Sequence, residues 1–153
     1  MKPTIHFKEG TEKAQTFFSI LPHDWQKEIS PYWEQYSSSS IIYILEEKGV
    51  VIGGGILFTK VTPDMKANAG IAEKYFDQAY AYLGFIWISE EKRGLGLGQL
   101  WLKKVIENNP NRGFWLTIED PLLKNFYQKW DFVVSEKIDP EGSPEWVMIR
   151  KPQ

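Results

Sequence analysis

Six consecutive residues, Arg93-Gly94-Leu95-Gly96-Leu97-Gly98, combine a permanently charged side chain with three glycines at alternate positions. Glycine leaves backbone amides uncovered and accepts the left-handed conformations that aim several N–H groups one way. The apolar run Leu83-Gly84-Phe85-Ile86-Trp87-Ile88 comes before them and a helical pattern after, so the turn also gains the unpaired N–H groups and positive dipole end of a helix start. Such a turn binds anions, phosphates above all. Arg93 stands immediately before it with a forked donor group suited to phosphate oxygens. Two nucleotide readings fail on spacing. A P-loop needs lysine and a hydroxyl residue after its last glycine, where this chain has Gln99-Leu100. A dinucleotide fingerprint starting at Gly94 and Gly96 needs its third glycine at Gln99, and it opens a βαβ unit rather than following antiparallel-looking strands.

Other reactive residue types are sparse. The chain has no cysteine, which removes a thiolate nucleophile, a thiolate metal site and a disulfide framework. His6 and His23 stand alone, without metal-ligand spacing. A formal net charge of -2, with basic residues scattered, argues against a nucleic-acid binder. No apolar run approaches the roughly 20 residues of a membrane span, and the N-terminus leads into no signal-peptide core. A soluble, cytoplasmic protein without a metal is expected. At 153 residues, a single domain over 1–153 is expected.

The elements that must hold the turn follow from periodicity. Thr4-Ile5-His6-Phe7 alternates as a short strand, and Thr11 and Asp24 are expected N-caps of two helices whose apolar residues include Ala14, Phe17, Phe18 and Leu21. Two strands, 41–45 and 50–58, flank a hairpin signal at Glu47-Lys48-Gly49. Gly53-Gly54-Gly55 inside the second predicts a bulge or a close backbone approach. Residues 62–81 form a long, partly helical excursion of the kind that makes lids or substrate walls. After the glycine turn come a helix ended by Asn108-Asn109-Pro110, a strand 114–118, a helix signalled by Asp120 as N-cap and Pro121 at its first position, and a hairpin around Pro140-Glu141-Gly142. The order is mixed α and β, with parallel strands expected in the second half.

Arg93-x-x-Gly96-x-Gly98 after an apolar strand resembles the [RQ]-x-x-G-x-[GA] acetyl-CoA motif of the GNAT acetyltransferase superfamily. The stretch from Asp120 to Phe132 is similar to that family's N-x(6)-Y-x-x-x-G-F segment, with Tyr127 at the tyrosine position, Asp120 in place of asparagine and Asp131 in place of glycine. A carboxylate at Asp120 cannot donate as an amide does. The resemblance implies an α/β (α+β) GNAT-like acyl-CoA N-acyltransferase fold, a central, mixed, mostly antiparallel sheet splayed between strands 4 and 5 and flanked by helices. It further implies acetyl-CoA as co-substrate, with its pyrophosphate on the amides of Gly94, Leu95, Gly96, Leu97, Gly98 and Gln99 beside Arg93. Pantetheine would run along Phe85, Ile86, Trp87 and Ile88, with Asp120 and Tyr127 completing the site.

The reaction so implied is direct attack of a primary amine on the thioester in a ternary complex, with an oxyanion held by a backbone N–H of residues 86–88. Tyr127 is the expected general acid for the departing thiolate. An amine must lose its proton before attack, and Glu119 is the first candidate base, with Glu73 and Asp77 behind it. Trp25, Tyr32, Trp33, Tyr36, Tyr75, Phe76 and Tyr80 serve equally as core or as acceptor wall. The acceptor is a small-molecule or protein amine, the assembly a monomer or homodimer, and the use of other acyl groups is open. The competing reading is a non-catalytic acyl-CoA-binding module, and a third is a protein-interaction domain using the aromatic surface.

Overall fold

In the computed structural model, which describes residues 4–63, 65, 69–139 and 142–153, the apolar runs become seven strands and six helices. The strands are β1 (Ile5–Glu9), β2 (Ser40–Glu47), β3 (Val50–Phe58), β4 (Ala81–Ile88), β5 (Phe114–Ile118), β6 (Val133–Ile138) and β7 (Glu145–Arg150). The α-helices among the described residues are α1 (Ala14–Ile20), α2 (His23–Ile29), α3 (Trp33–Tyr36), α4 (Ala69–Asp77), α5 (Leu97–Asn108) and α6 (Leu123–Gln128). One sheet holds all seven strands in the order β1-β2-β3-β4-β5-β7-β6. Every neighbouring pair is antiparallel except β4 and β5.

Both faces of the sheet are covered, and the period-two alternation sorts side chains between them. Ile42 and Ile44 of β2, Ile56 and Phe58 of β3 and Trp115 of β5 join the core under α1 to α4. Tyr43 and Leu45, Leu57, Leu116 and Ile118 point the other way, into the core under α5 and α6. The hairpin between β2 and β3 turns at Lys48 and Gly49, both at positive φ (52° and 78°), as the sequence expects. The triple glycine is a close approach. A Cβ on Gly54 would lie 2.6 Å from the Tyr43 carbonyl oxygen, and one on Gly55 2.5 Å from the Trp101 ring. Trp101 fills that space fully buried and donates its indole N–H to the Tyr43 carbonyl at 3.0 Å.

Several local expectations are corrected. Thr11 caps no helix: it opens a 3-10 turn, and its hydroxyl accepts the Ile42 N–H at 3.2 Å, fastening that turn to β2. Helix α2 starts at His23 after Pro22, so Asp24 lies inside its first turn. Asp120 accepts the Leu122 N–H at 2.9 Å in a local turn, and α6 begins only at Leu123. In the second half only β4 and β5 pair in parallel, because β7 enters between β5 and β6, antiparallel to both. The last hairpin forms between β6 and β7, though Pro140 and Glu141 lie outside the described residues, as does part of the 62–81 excursion.

Candidate active site

The parallel pair is short. β4 and β5 align only at Ala81 with Phe114 and Tyr82 with Trp115. Beyond Tyr82 a wedge opens between residues 83–88 of β4 and 116–118 of β5. On its other side β4 stays paired with β3, but Gly54 faces Trp87 and Ile56 faces Gly84, so Phe85 and Ile86 share the single partner Gly55. That is a β-bulge on β4, which bends the strand and takes peptide groups out of the ladder. Phe85 has φ 54°, in a region a bulky residue rarely enters. The sequence signal for this bulge was the triple glycine on the neighbouring strand. All four residues 85–88 are only half-buried, so this strand edge faces the wedge partly open.

The glycine turn lies at the wide end of the wedge. Gly94 and Gly96 have φ of 79° and 77°, and a Cβ on either would meet no heavy atom within 4 Å. Glycine is therefore called for there by backbone conformation rather than by packing. Gly96 is the N-cap of α5, which has no side-chain cap and no acidic residue in its first turn. Its N–H groups and positive dipole end are left uncompensated, the condition an anion relieves. Leu97 anchors the turn by burying its side chain, while Leu95 and Gln99 are exposed. Gly98 lies against α6, where its Cβ would touch the Phe126 ring at 3.6 Å. Lys92 ties the preceding loop to β2 through Glu47 at 2.5 Å. The Arg93 side chain is less free than the sequence suggests. Its Nε donates to the Ile88 carbonyl at 3.0 Å and its guanidinium lies 4.3 Å over the Trp87 ring, leaving the terminal nitrogens for an anion.

Tyr127 is buried on the α5–α6 face. Its ring packs edge-on against Phe126 at 4.9 Å and Phe132 at 5.5 Å, in the core shared with Leu116, Ile118, Ile86 and Ile88. Burial pushes its phenol up to about 12. The hydroxyl therefore stays protonated at neutral pH and works as a donor.

Glu119 follows β5 and is exposed. The register pairs Ile118 with Trp146, which sets Glu119 beside Glu145 at the start of β7, on the sheet face of Thr117 and Trp115. Glu145 is the residue sequence reasoning missed. It is half-buried, and its carboxyl is raised above the ordinary value first by that burial and then by the Glu119 charge, against a lowering contribution from the Thr117 hydroxyl. Only the β5–β7 register identifies it, since in sequence it follows a Gly-Ser-Pro loop. Glu73 and Asp77 are exposed on α4, and His6 and His23 are exposed as well. Of the aromatic candidates, Trp33, Tyr75 and Tyr80 are core residues. Trp25 reaches the wedge, with its ring 6.0 Å from Phe85 and 5.3 Å from Trp87. Phe76 packs on Trp115, whereas Tyr32 and Tyr36 stay at the periphery.

A family model for the acetyltransferase (GNAT) family matches residues 11–132, which spans most of the chain and contains both the glycine turn and Tyr127. The chain belongs to the GNAT acetyltransferase family. Solved structures agree on the fold. A protein from Corynebacterium glutamicum, described as histone acetyltransferase HPA2 and related acetyltransferase, superposes with a TM-score of 0.66 at 18% identity, covering 100% of this chain and 98% of the other. A GNAT family acetyltransferase from Elizabethkingia anophelis, with acetyl-CoA bound, gives 0.63 at 16% identity, covering 98% and 99%. An acyl-CoA N-acyltransferase from Pseudomonas aeruginosa gives 0.63 at 16%, covering 97% and 99%. No curated protein matches the sequence. The GNAT fold expected from the sequence, splayed between β4 and β5, is the fold observed. No helix among the described residues is long and apolar enough to cross a membrane, and no group of three or more His, Cys, Asp or Glu there is placed to hold a metal.

Proposed function

We propose that this GNAT protein transfers an acetyl group from acetyl-CoA to a primary amine. The observation that carries the reading is the turn at residues 94–98. Two positive-φ glycines with open space above them abut a helix start that carries no side-chain cap and no acid in its first turn. The residues present fit CoA: the amides around Gly94, Gly96 and Gly98 suit the pyrophosphate, and the half-open edge of β4 suits the pantetheine amides as an added strand would. Arg93 adds its terminal nitrogens at the rim, while Asp120, committed to the Leu122 N–H, limits its own part to shaping the turn.

Bound acetyl-CoA supplies a thioester carbonyl open to attack. The chain supplies the rest. Peptide N–H groups at the Phe85–Ile86 bulge are fixed donors for charge developing on the carbonyl oxygen. Tyr127, held protonated by burial, donates to the leaving sulfur from the α5–α6 face. Glu119, exposed at the mouth of the wedge, gives protons an outlet to water. A cytoplasmic location, and an acceptor that is either a small molecule or a protein amine, belong to the same proposal.

Calorimetric titration with CoA tests the donor half: saturable binding is expected, and no heat at millimolar CoA contradicts it. Release of free thiol from acetyl-CoA on adding a primary amine tests the transfer. Binding without release supports a non-catalytic acyl-CoA module.

A further inference from the structure

Attack on a thioester requires the amine without its extra proton, and the fold places two half-buried carboxylates on the face opposite Tyr127, Glu136 on the outer strand β6 and Glu145 on β7 beside the end of β5. Thr117 and Trp115 share a face of β5, and Trp115 packs on Tyr82 of β4, the last residue before the two strands part. Two residues further along β5, on that face, lies Thr117, paired with Val147 of β7. Glu145 is two residues from Val147 along β7, so its side chain leaves by the same face, at the wide end of the wedge and beside Thr117. We propose that Glu145 is the general base that takes the proton from the acceptor amine, with the exposed Glu119 passing that proton to water.

The inference rests on the acetyl-transfer reading. The proton inventory balances. An ammonium acceptor gives one proton to Glu145, and the freed nitrogen forms the C–N bond as the C–S bond breaks. Tyr127 protonates the leaving thiolate, the nitrogen's second proton restores Tyr127 by way of water, and the proton on Glu145 leaves through Glu119 to solvent, so amide, thiol and one solvent proton result and both side chains are regenerated. Charged and titratable neighbours favour the assignment. On the same face stand Glu119 after β5, Glu136 of β6, which pairs with Val147, and Tyr75 of α4, whose hydroxyl donates to Ser135 at 3.1 Å. Lys124 and Lys137 lie over the ring of Trp146, the next residue along the strand, whose side chain packs in the opposite core. Lys74 of α4 lies over the Tyr75 ring at 5.2 Å; among the described residues the groups acting on the Glu145 carboxyl are Thr117 and Glu119. An acceptor ammonium meets Glu145 and Glu119 there, with Glu136 on the same face of β6. Burial first, against the lowering Thr117 hydroxyl and together with the Glu119 charge, holds the Glu145 carboxyl above its ordinary value.

The test compares wild type, Glu145→Gln, Glu145→Asp and Glu119→Gln by free-thiol release. The probe amines are phenethylamine, spermidine and a lysine-containing peptide, assayed from pH 5 to 9, with CoA affinity measured on each variant. Glu145→Gln is expected to bind CoA as wild type does, to lose ~100-fold or more in kcat/KM, the scale of general-base catalysis, and to lose the acid limb of its pH profile. Glu145→Asp is expected to keep that limb at reduced rate. Glu119→Gln is expected to move the limb to lower pH, because it removes a charge that raises Glu145. A Glu145→Gln enzyme that keeps the wild-type acid limb overturns the assignment and leaves the acetyl-transfer reading standing. A wild type that binds CoA but releases thiol with none of the three amines overturns both.

Discussion

In the proposed reaction, Tyr127 and the open wedge divide the chemistry by sheet face. A phenol buried among Phe126, Phe132 and the apolar ends of β4 and β5 holds its proton, so its contribution is full below its pKa of about 12 and is lost only as pH rises through that value. No alkaline limb from Tyr127 is expected below pH ~10. Tyr127→Phe removes one oxygen from a well-packed ring. It is expected to leave CoA affinity within about twofold and to lower kcat by ~100-fold or more, the scale of a lost general acid, checked by calorimetry and initial rates. Unchanged kcat would make Tyr127 a packing residue. The proposed role of Tyr127 rests on its seven-residue spacing to Asp120 within a resembled segment pattern, and the structure shows its ring buried. Glu145 was not legible in the sequence, because nothing local marks it. Its place beside Thr117 and Glu119 exists only once β7 enters between β5 and β6.

The elements show why the wedge stays open. Gly53-Gly54-Gly55 lets β3 lie against Trp101 and Ile88 without side chains of its own, and the bulge at Phe85 takes up the mismatch opposite. Gly55→Ala puts a methyl 2.5 Å from the Trp101 ring. It is expected to destabilise the fold by ~1–3 kcal/mol, as overpacking does, read as a lower urea midpoint at unchanged slope. At the far edge, buried Glu46 of β2 binds Lys13 and Lys8, each at 2.7 Å, and those hydrogen bonds, Lys13 foremost, lower its pKa. A depressed carboxylate stabilises the fold above its unfolded pKa of about 4.3, and that stability is lost as pH falls through the lower folded value. Glu46→Gln is expected to flatten the stability–pH curve below pH ~5 relative to wild type, measured by denaturant titration. Strand and helix types were readable from apolar periodicity, and the β2–β3 turn from its Lys-Gly pair. The caps at Thr11 and Asp120 were misread. Both side chains bond backbone N–H groups outside the helix starts they precede in sequence, Thr11 across the sheet and Asp120 within its own turn.

At the scale of the whole molecule, the proposed reaction sets a donor site and a proton-handling wall on two sides of one gap in the sheet. The first rests on a local pattern, glycines at fixed offsets with a helix after them, which a sequence displays directly. The second is spread over the ends of β5 and β7, so only the assembled register shows it. The most direct measurement of the central claim is release of free thiol from acetyl-CoA as a function of primary-amine concentration. The account predicts a rate that rises with amine and saturates, with stoichiometric acetylated amine among the products. CoA binding with a thiol-release rate no greater in the presence of any primary amine than in its absence would contradict it.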